Sequence, residues 1–299
     1  MGLSIYNIKK WTRMLTGNSI YHVNQDLGKA FQPGALAGYF NDMTLKVLKG
    51  DGNLENGIPF YEHSDGSHVQ MPTTIFQYGL GAYDLWQLKG QEKYKEKATL
   101  CADWAVEHQQ DNGAWNNFFF IYPDHPYSAM PQGEGASLLL RIHKETGDNR
   151  YFDAARKAIK YMLTDVSAGG VSKHDDGLIF LEYTHLPVVL NGWIFALFGL
   201  YDFSLVTGEK KKELEATIRT IVKMLPKFDC GYWSMYDADV RITSPFYHNL
   251  HIAQMDALYR ITGNPVFSRM ADKWRKERRR ITNRSRAFIK KAMQKVLEK

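Results

Sequence analysis

The sequence predicts a mainly α protein: an (α/α) barrel or toroid of about four helical hairpins, preceded by an irregular, partly β N-terminal arm. Three observations predict it. A short glycine turn recurs at intervals of roughly sixty residues, as a repeating supersecondary unit would: Leu88-Lys89-Gly90-Gln91, Thr146-Gly147-Asp148, Thr207-Gly208-Glu209 and Thr262-Gly263-Asn264. Before each glycine runs a helical apolar pattern, over Ile75 to Leu88, Ala129 to Glu145, Val188 to Val206 and Leu250 to Ile261. After it, three of the four units place an aromatic and then an alanine one turn on: Tyr94 and Ala98, Tyr151 and Ala155, Phe267 and Ala271. Glycine suits the left-handed residue that closes a helix, and Asp148 or Asn264 suits the cap of the next. Four stacked hairpins bury what one cannot, and closing them into a ring puts the more apolar helix of each pair inside.

Residues 1–70 read as the arm, 71–277 as the barrel and 278–299 as a basic C-terminal helix or tail. In the arm, Asp51-Gly52-Asn53, Asn56-Gly57-Ile58-Pro59 and Ser64-Asp65-Gly66 are turn signals between short extended runs, which predicts a hairpin or two lying over the barrel. A separate helix is expected over residues 1–20. Asp51-Gly52-Asn53 with Glu55 lacks the ligand spacing of an EF-hand and reads as a plain turn.

The chain has 299 residues, 44% hydrophobic and 13% aromatic, enough for one large domain and an extension. No stretch approaches the roughly 20 apolar residues of a bilayer span. Met1-Gly2-Leu3-Ser4-Ile5-Tyr6 lacks a signal-peptide core and has Tyr6 where a myristoylation motif wants Ser or Thr. Two cysteines, Cys101 and Cys230, are too few for a disulfide framework. A cytoplasmic protein is expected.

The net charge of +6 is unevenly placed. From Lys273 to Lys299 stand twelve Lys or Arg against two Glu, so that stretch carries +10 and the rest about −4. Arg284, Arg286, Lys290 and Lys291 alternate with Phe288, Ile289, Met293 and Val296, a basic amphipathic pattern. Such a segment attracts an acidic polysaccharide, an anionic membrane surface or a nucleic acid, or else simply stays solvated.

The long connections should share one face, because the short turns occupy the other, and loops gathered on a rigid scaffold are where sites form. Two of them place tyrosines, a carboxylate and histidines ahead of apolar helices: Leu181-Glu182-Tyr183-Thr184-His185, and Tyr236-Asp237 through Phe246-Tyr247-His248-Asn249-Leu250-His251. Tyr has a pKa of about 10 and serves as a base only where its surroundings hold the phenolate. Two tyrosines with a glutamate therefore point to difficult proton chemistry, against the plainer reading that Tyr often packs with its hydroxyl wet. Adjacent strand residues point to opposite faces, so Glu182 and Tyr183 share a site only if the backbone there is irregular. His248 and His251 share a helix face but lack a third ligand, so no metal is expected. There is no P-loop, dinucleotide fingerprint or His-Glu-x-x-His, and no cofactor is expected.

Several separated blocks resemble the C-terminal domain of the D-glucuronyl C5-epimerase family. They include Gln77-Tyr78-Gly79-Leu80, Ala102-Asp103-Trp104, Gly113-Ala114-Trp115, Tyr127-Ser128-Ala129-Met130-Pro131-Gln132-Gly133, Glu182-Tyr183, Val189-Leu190-Asn191-Gly192, Tyr236-Asp237 and Tyr247-His248 with His251 and Gln254. The resemblance implies a helical barrel that converts D-glucuronate to L-iduronate in an acidic polysaccharide or oligosaccharide of heparan or heparosan type. It implies Tyr183, Tyr247 and Glu182 as catalytic residues, Tyr236 in support, and Tyr127, Gln132, Asn191 and His251 near the substrate. It also implies a homodimer. An arginine that the family carries after Tyr-Asp has Arg241 as its nearest counterpart here, and the loop from Tyr236 to Tyr247 is shorter than the family's. Arg241, His248 and His251 are the donors expected to face the uronate.

Three other readings fit the same residues. A uronate lyase shares the carbanion and then expels the C4 substituent. A glycosidase needs two flanking carboxylates, drawn from Glu134, Asp175, Asp176 and Glu182. A non-catalytic glycan-binding protein would use the aromatic face for stacking and the basic tail for grip.

Overall fold

The structure, a computed structural model, describes residues 22–50, 53–62 and 65–297. The helix expected over 1–20 and the Asp51-Gly52 part of the turn before Glu55 lie outside them. The arm carries α1 (Thr44–Gly50) and two antiparallel pairs, β1 (Leu54–Glu55) with β2 (Ile58–Pro59) and β3 (Tyr61–Glu62) with β4 (His68–Val69). Four hairpins follow: α2 (Pro72–Lys89) with α3 (Glu92–Glu107), α4 (Ala129–Thr146) with α5 (Asn149–Met162), α6 (Leu190–Thr207) with α7 (Lys211–Met224), and α8 (Pro245–Thr262) with α9 (Pro265–Arg279). A third small pair, β5 (Ser172–Lys173) with β6 (Ile179–Phe180), sits in the connection before Glu182, and α10 (Ile281–Leu297) ends the described chain.

The repeat is visible in sequence because each turn is built by its own residues. Gly90, Gly147, Gly208 and Gly263 all take left-handed φ values of 65, 72, 73 and 67°, a region that costs any other residue but Asn or Asp. Thr146, Thr207 and Thr262 each donate back to the carbonyl four residues earlier and accept from the amide two residues on. Asp148 and Asn264 cap the helices that follow. The third turn departs: Glu209 precedes an uncapped helix, and Lys210 itself sits at φ 62°.

Helices α2, α4, α6 and α8 form the inner layer and touch in chain order. The outer helices bury a single stripe; α5, for example, buries Tyr151, Ala154, Ala155, Ala158, Ile159 and Met162, the spacing of one helical face. Helix α6 is apolar around most of its circumference because it is buried from Leu190 through Leu200, only its C-terminal end at Leu205 and Val206 being exposed. Where α4 meets α6 the backbones touch: a Cβ on Gly199 would lie 2.3 Å from the Cα of Gly133. By length and composition α6 also meets the requirements of a membrane span, with a mean hydropathy of 1.3 over 18 residues. The expectation that no stretch approaches that length passed over it. It is 78% buried within the protein, the burial of a core helix.

Helix starts differ from the sequence pattern for identifiable reasons. Pro72 and Pro245 stand in the first turn, where a missing N–H costs nothing, so α2 and α8 begin ahead of Ile75 and Leu250. Helix α6 begins after Val188, because Val188 and Val189 pair with the Tyr236–Ala238 backbone instead.

The arm plugs the end of the ring where the short turns lie. Phe40 stacks on Phe198 at 4.1 Å and Tyr39 lies parallel to Phe195, both arm residues being fully buried. Asp84 of α2 accepts from the Tyr39 amide at 2.8 Å. Arg141 of α4 reaches the carbonyls of Ala37 and Gly38 while paired at 2.6 Å with Asp202 of α6.

At the other terminus, α9 runs unbroken across residue 277, and α10 docks rather than trailing into solvent. Ala287 is buried beside Trp233, Met235 and Ile242, and the Arg286 guanidinium lies 4.0 Å from the Tyr232 ring centre.

Candidate active site

The long connections emerge at the N-terminal ends of the inner helices, away from the arm's plug. They surround a cleft with about 280 Å³ of internal space, close to the lower limit of small-ligand sites, about 300 Å³. Its walls come from Gln77 of α2, Met130 of α4, Asn191 and Phe195 of α6, and Tyr247 and Leu250 of α8. Glu182 and Tyr183 enter from the connection before α6, and Lys46 enters from α1 of the arm. Four helices thus aim their N-termini at one space, and their partial positive charge favours an anion there.

Glu182 and Tyr183 both line the cleft because the strand stops first: β6 ends at Phe180. Beyond it the Leu181 amide bonds to the Val171 carbonyl and the Leu181 carbonyl accepts from Ala129, which sets the two following side chains on one side. Gly192, in the first turn of α6, makes room; a Cβ there would sit 2.2 Å from Glu182 Oε2. Glu182 accepts from the Tyr236 hydroxyl at 3.3 Å and from Asn191 Nδ2 at 3.4 Å. Tyr183 stacks on Phe118 at 4.8 Å, and Tyr247 meets the Tyr236 ring edge-on at 5.1 Å.

Burial dominates the electrostatics. It pushes the Glu182 carboxyl up to about 7, against the opposing pull of the Tyr183 and Tyr236 hydroxyls and of Arg241. Burial, and after it the charge of Glu182, raises the phenols of Tyr183, Tyr236 and Tyr247. In the resting cleft all three tyrosines are therefore phenols, and the strongest base near them is Glu182. Beneath the cleft, Glu134 of α4 is fully buried and accepts from Gln77 Nε2 at 2.8 Å; burial pushes it up to about 8. Burial also pulls Lys46 down to about 8, with Glu134 acting the other way.

The structure brings Glu182, Tyr183, Asn191 and Tyr247 together in the cleft lining, with Tyr236 just outside it and bonded to Glu182, and leaves the other sequence candidates farther from the lining. Tyr127 donates to Gln110 at 2.8 Å and meets Tyr161 edge-on. Gln132 is enclosed in α4, its side-chain amide 3.2 Å from both the Gly113 carbonyl and the Trp115 amide, which it bridges when its nitrogen is turned toward the carbonyl. His248 lies flat on Trp233 at 3.7 Å, with Nδ1 toward Ser234 and Nε2 toward the Trp274 carbonyl. His251 is fully buried, with Nδ1 3.2 Å from Ser234 Oγ. Burial pulls both imidazoles down to about 3, so neither is a cation facing a uronate. They fasten α8 to α9 and to the Trp233-Ser234 turn. Arg241 stands behind the site: it is paired with Asp237, and its guanidinium lies 5.2 Å from the Tyr236 ring centre.

Sequence reasoning gave Lys46 no role. It lies in the arm, and nothing local marks it. Gln77 fell in a family block without a role, and Glu134 was counted only as a spare carboxylate.

Helix α10 supports the loop that carries Tyr236. Gln294 Oε1 accepts from the Ile242 amide at 3.0 Å and Nε2 donates to the Val240 carbonyl at 2.6 Å, and Lys291 Nζ lies 5.7 Å from the Tyr236 ring centre. Gln294→Ala is expected to cost about 1 kcal/mol of stability and to lower turnover through the loosened loop, as paired melting and rate measurements would show. Turnover equal to wild type would separate α10 from the site.

Residues 103–276 match the family model described as D-glucuronyl C5-epimerase C-terminus. The D-glucuronyl C5-epimerase of Caenorhabditis elegans is 32% identical over 216 residues, covering 62% of this chain and 35% of that protein. An uncharacterised protein of Methanocaldococcus jannaschii is 33% identical over 156 residues, 49% of this chain and 51% of its own. The chain thus spans about a third and about half the length of these relatives. Among solved structures, the unsaturated glucuronyl hydrolase of Bacillus sp. GL1 superposes with a TM-score of 0.50 at 16% identity, over 82% of this chain and 66% of that one, a likeness of fold alone. With more than half its length matched by the family model and the barrel in place, the chain belongs to the D-glucuronyl C5-epimerase C-terminus family.

Proposed function

We propose that the chain inverts C5 of a D-glucuronate residue in an acidic glycan, giving L-iduronate. The observation that carries this reading is the group of Glu182, Tyr183 and Tyr247 around one cleft, with a carboxyl poised near neutrality that accepts from the Tyr236 hydroxyl behind it. The reaction removes a proton α to a carboxylate and returns one to the opposite face, which calls for an acid/base group on each side.

The resting phenols require a relay. Tyr183 takes the C5 proton on its oxygen as its own phenolic proton passes to the Glu182 carboxylate. The electron pair of the C5–H bond moves into the substrate carboxylate. Tyr247 then donates its phenolic proton to C5 from the other face and recovers one from water, while Glu182 releases its proton to solvent. Tyr236 holds Glu182 in place throughout.

The test is incubation with a glucuronate-containing heparosan chain in deuterated water, read by proton NMR at C5. Deuterium at C5 with iduronate signals is expected. Tyr183→Phe and Tyr247→Phe should each lose about 10²- to 10⁴-fold in exchange rate, the usual worth of a positioned acid or base. Full activity in both variants would sink the two-tyrosine mechanism. An unsaturated product absorbing in the ultraviolet would mark β-elimination instead.

A further inference from the structure

We propose that the outward face of α10 is a docking surface for an anionic lipid bilayer, on which the helix lies flat. The proposal is independent of the reaction assigned to the cleft, and it concerns a helix beyond the 103–276 family match.

Helix α10 holds to the protein along one side. Asn283 Nδ2 donates to the Glu277 carbonyl, Ala287 is buried beside Trp233, Met235 and Ile242, and Gln294 is bonded to the Ile242 amide and the Val240 carbonyl. At 3.6 residues per turn the opposite side carries Ile281, Ser285, Phe288, Ile289 and Met293 within about 140° of the circumference. Its apolar members stand in solvent, with Ile281 76%, Phe288 49%, Ile289 58% and Met293 60% exposed. A single exposed apolar residue is ordinary, whereas a contiguous row on one helix face marks an interaction site. Helix α5 turns its apolar stripe toward the core; α10 turns its larger apolar side chains away from it.

Charge selects the occupant. From Arg278 to Leu297 the chain carries eight Lys or Arg and no Asp or Glu, and Arg284 and Lys290, on the two flanks of the apolar row, are exposed. A second copy pairing through the same face would set eight cations against eight. Residues 1–21 contain Lys9, Lys10 and Arg13 and no acid, so they bear the same sign of charge. An acidic glycan would meet the cations but leave Ile281, Ile289 and Met293 in water, at the cost of their exposed apolar surface. An anionic bilayer satisfies both parts. Lipid headgroups meet the Lys and Arg ends while the apolar row enters the boundary with the acyl chains, as amphipathic helices do when they lie in a membrane surface. The long stems of Arg284 and Lys290 let their charged ends stay among the headgroups. Because Gln294 of the same helix braces the Tyr236 loop, docking sets that loop about one helix diameter, 10 Å, from the lipid.

The test is co-sedimentation of the full chain with vesicles of phosphatidylcholine, and of phosphatidylcholine mixed with phosphatidylserine. Wild type is compared with two double variants, Ile289→Ser/Met293→Ser and Arg284→Gln/Lys290→Gln. All four residues are exposed, so both variants should melt with wild type. Wild type is expected to bind the mixed vesicles in preference to phosphatidylcholine alone, and less tightly as salt rises. Each variant should weaken that binding by about tenfold or more, the first through lost apolar transfer and the second through lost charge. No binding to the mixed vesicles would overturn the proposal. So would binding that survives the serine substitutions, which would make the attraction one of charge alone. Heparosan binding that needs Arg284 and Lys290, without vesicle binding, would give the surface to an acidic glycan instead. A dimer that the serine substitutions dissociate would give it to a second copy.

Discussion

Glu182→Gln is expected to lower C5 exchange by about 10²-fold or more while the protein stays folded and, above neutrality, becomes harder to melt. Glutamine keeps the shape beside Gly192 but cannot take a proton from Tyr183. Burial holds the Glu182 carboxyl at about 7, so the wild-type rate should climb as pH rises through that value and the carboxylate forms. The glutamine variant should lack this limb. Stability runs the other way. The folded carboxyl titrates above the value of about 4.3 expected for an unfolded Glu. Its stabilising contribution is therefore complete below the unfolded value and is lost as pH rises through about 7. The variant should melt near wild type at pH 4 and above it at pH 8. A variant with wild-type turnover, or a rate limb that survives in it, would remove Glu182 from the chemistry.

The largest stability effect is expected at the opposite end of the ring. Arg141 and Asp202 are both about 1% exposed and 2.6 Å apart. Ser137 Oγ donates to the same carboxylate oxygen at 2.7 Å. Arg141→Met leaves Asp202 buried and unpaired, which costs about 3–5 kcal/mol. It also strips the Ala37 and Gly38 carbonyls of their donor. Denaturant unfolding should show the loss, and limited proteolysis should cut first in the arm. Because α1 and Lys46 ride on that arm, activity should fall beyond what the unfolded fraction explains. Adding Asp202→Leu removes the stranded charge and should recover much of the stability, but not the arm's attachment. Unchanged arm cleavage in Arg141→Met would show that the stacking of Tyr39 and Phe40 and the Asp84–Tyr39 bond hold the arm without Arg141.

Tyr247 and His248 show where legibility ends. Both fall in one family block and are chain neighbours, yet about 100° of helical rotation sends the first into the cleft and the second against Trp233. A matching block marks a shared environment without saying whether it is cleft or core, which is why Gln132 and His251 were read as substrate contacts and are instead internal fastenings. The same holds for the phenols. Residue type suggested a base, but the enclosure that makes Glu182 the stronger base arises only when three connections and the arm converge.

What the sequence by itself determined is what neighbours in the chain enforce. Thr-Gly turns close three of the four inner helices through bonds to residues four back and two on, left-handed glycines reverse the chain, and apolar periodicity separates inner helices from outer. Tertiary structure alone decided which side of each helix meets the cleft, that a stretch apolar enough to cross a membrane is a core helix, that the basic C-terminal helix docks on the Tyr236 loop, and that a lysine of the arm, Lys46, lines the cleft. Those outcomes depend on contacts between residues far apart in the chain, and no local pattern records them.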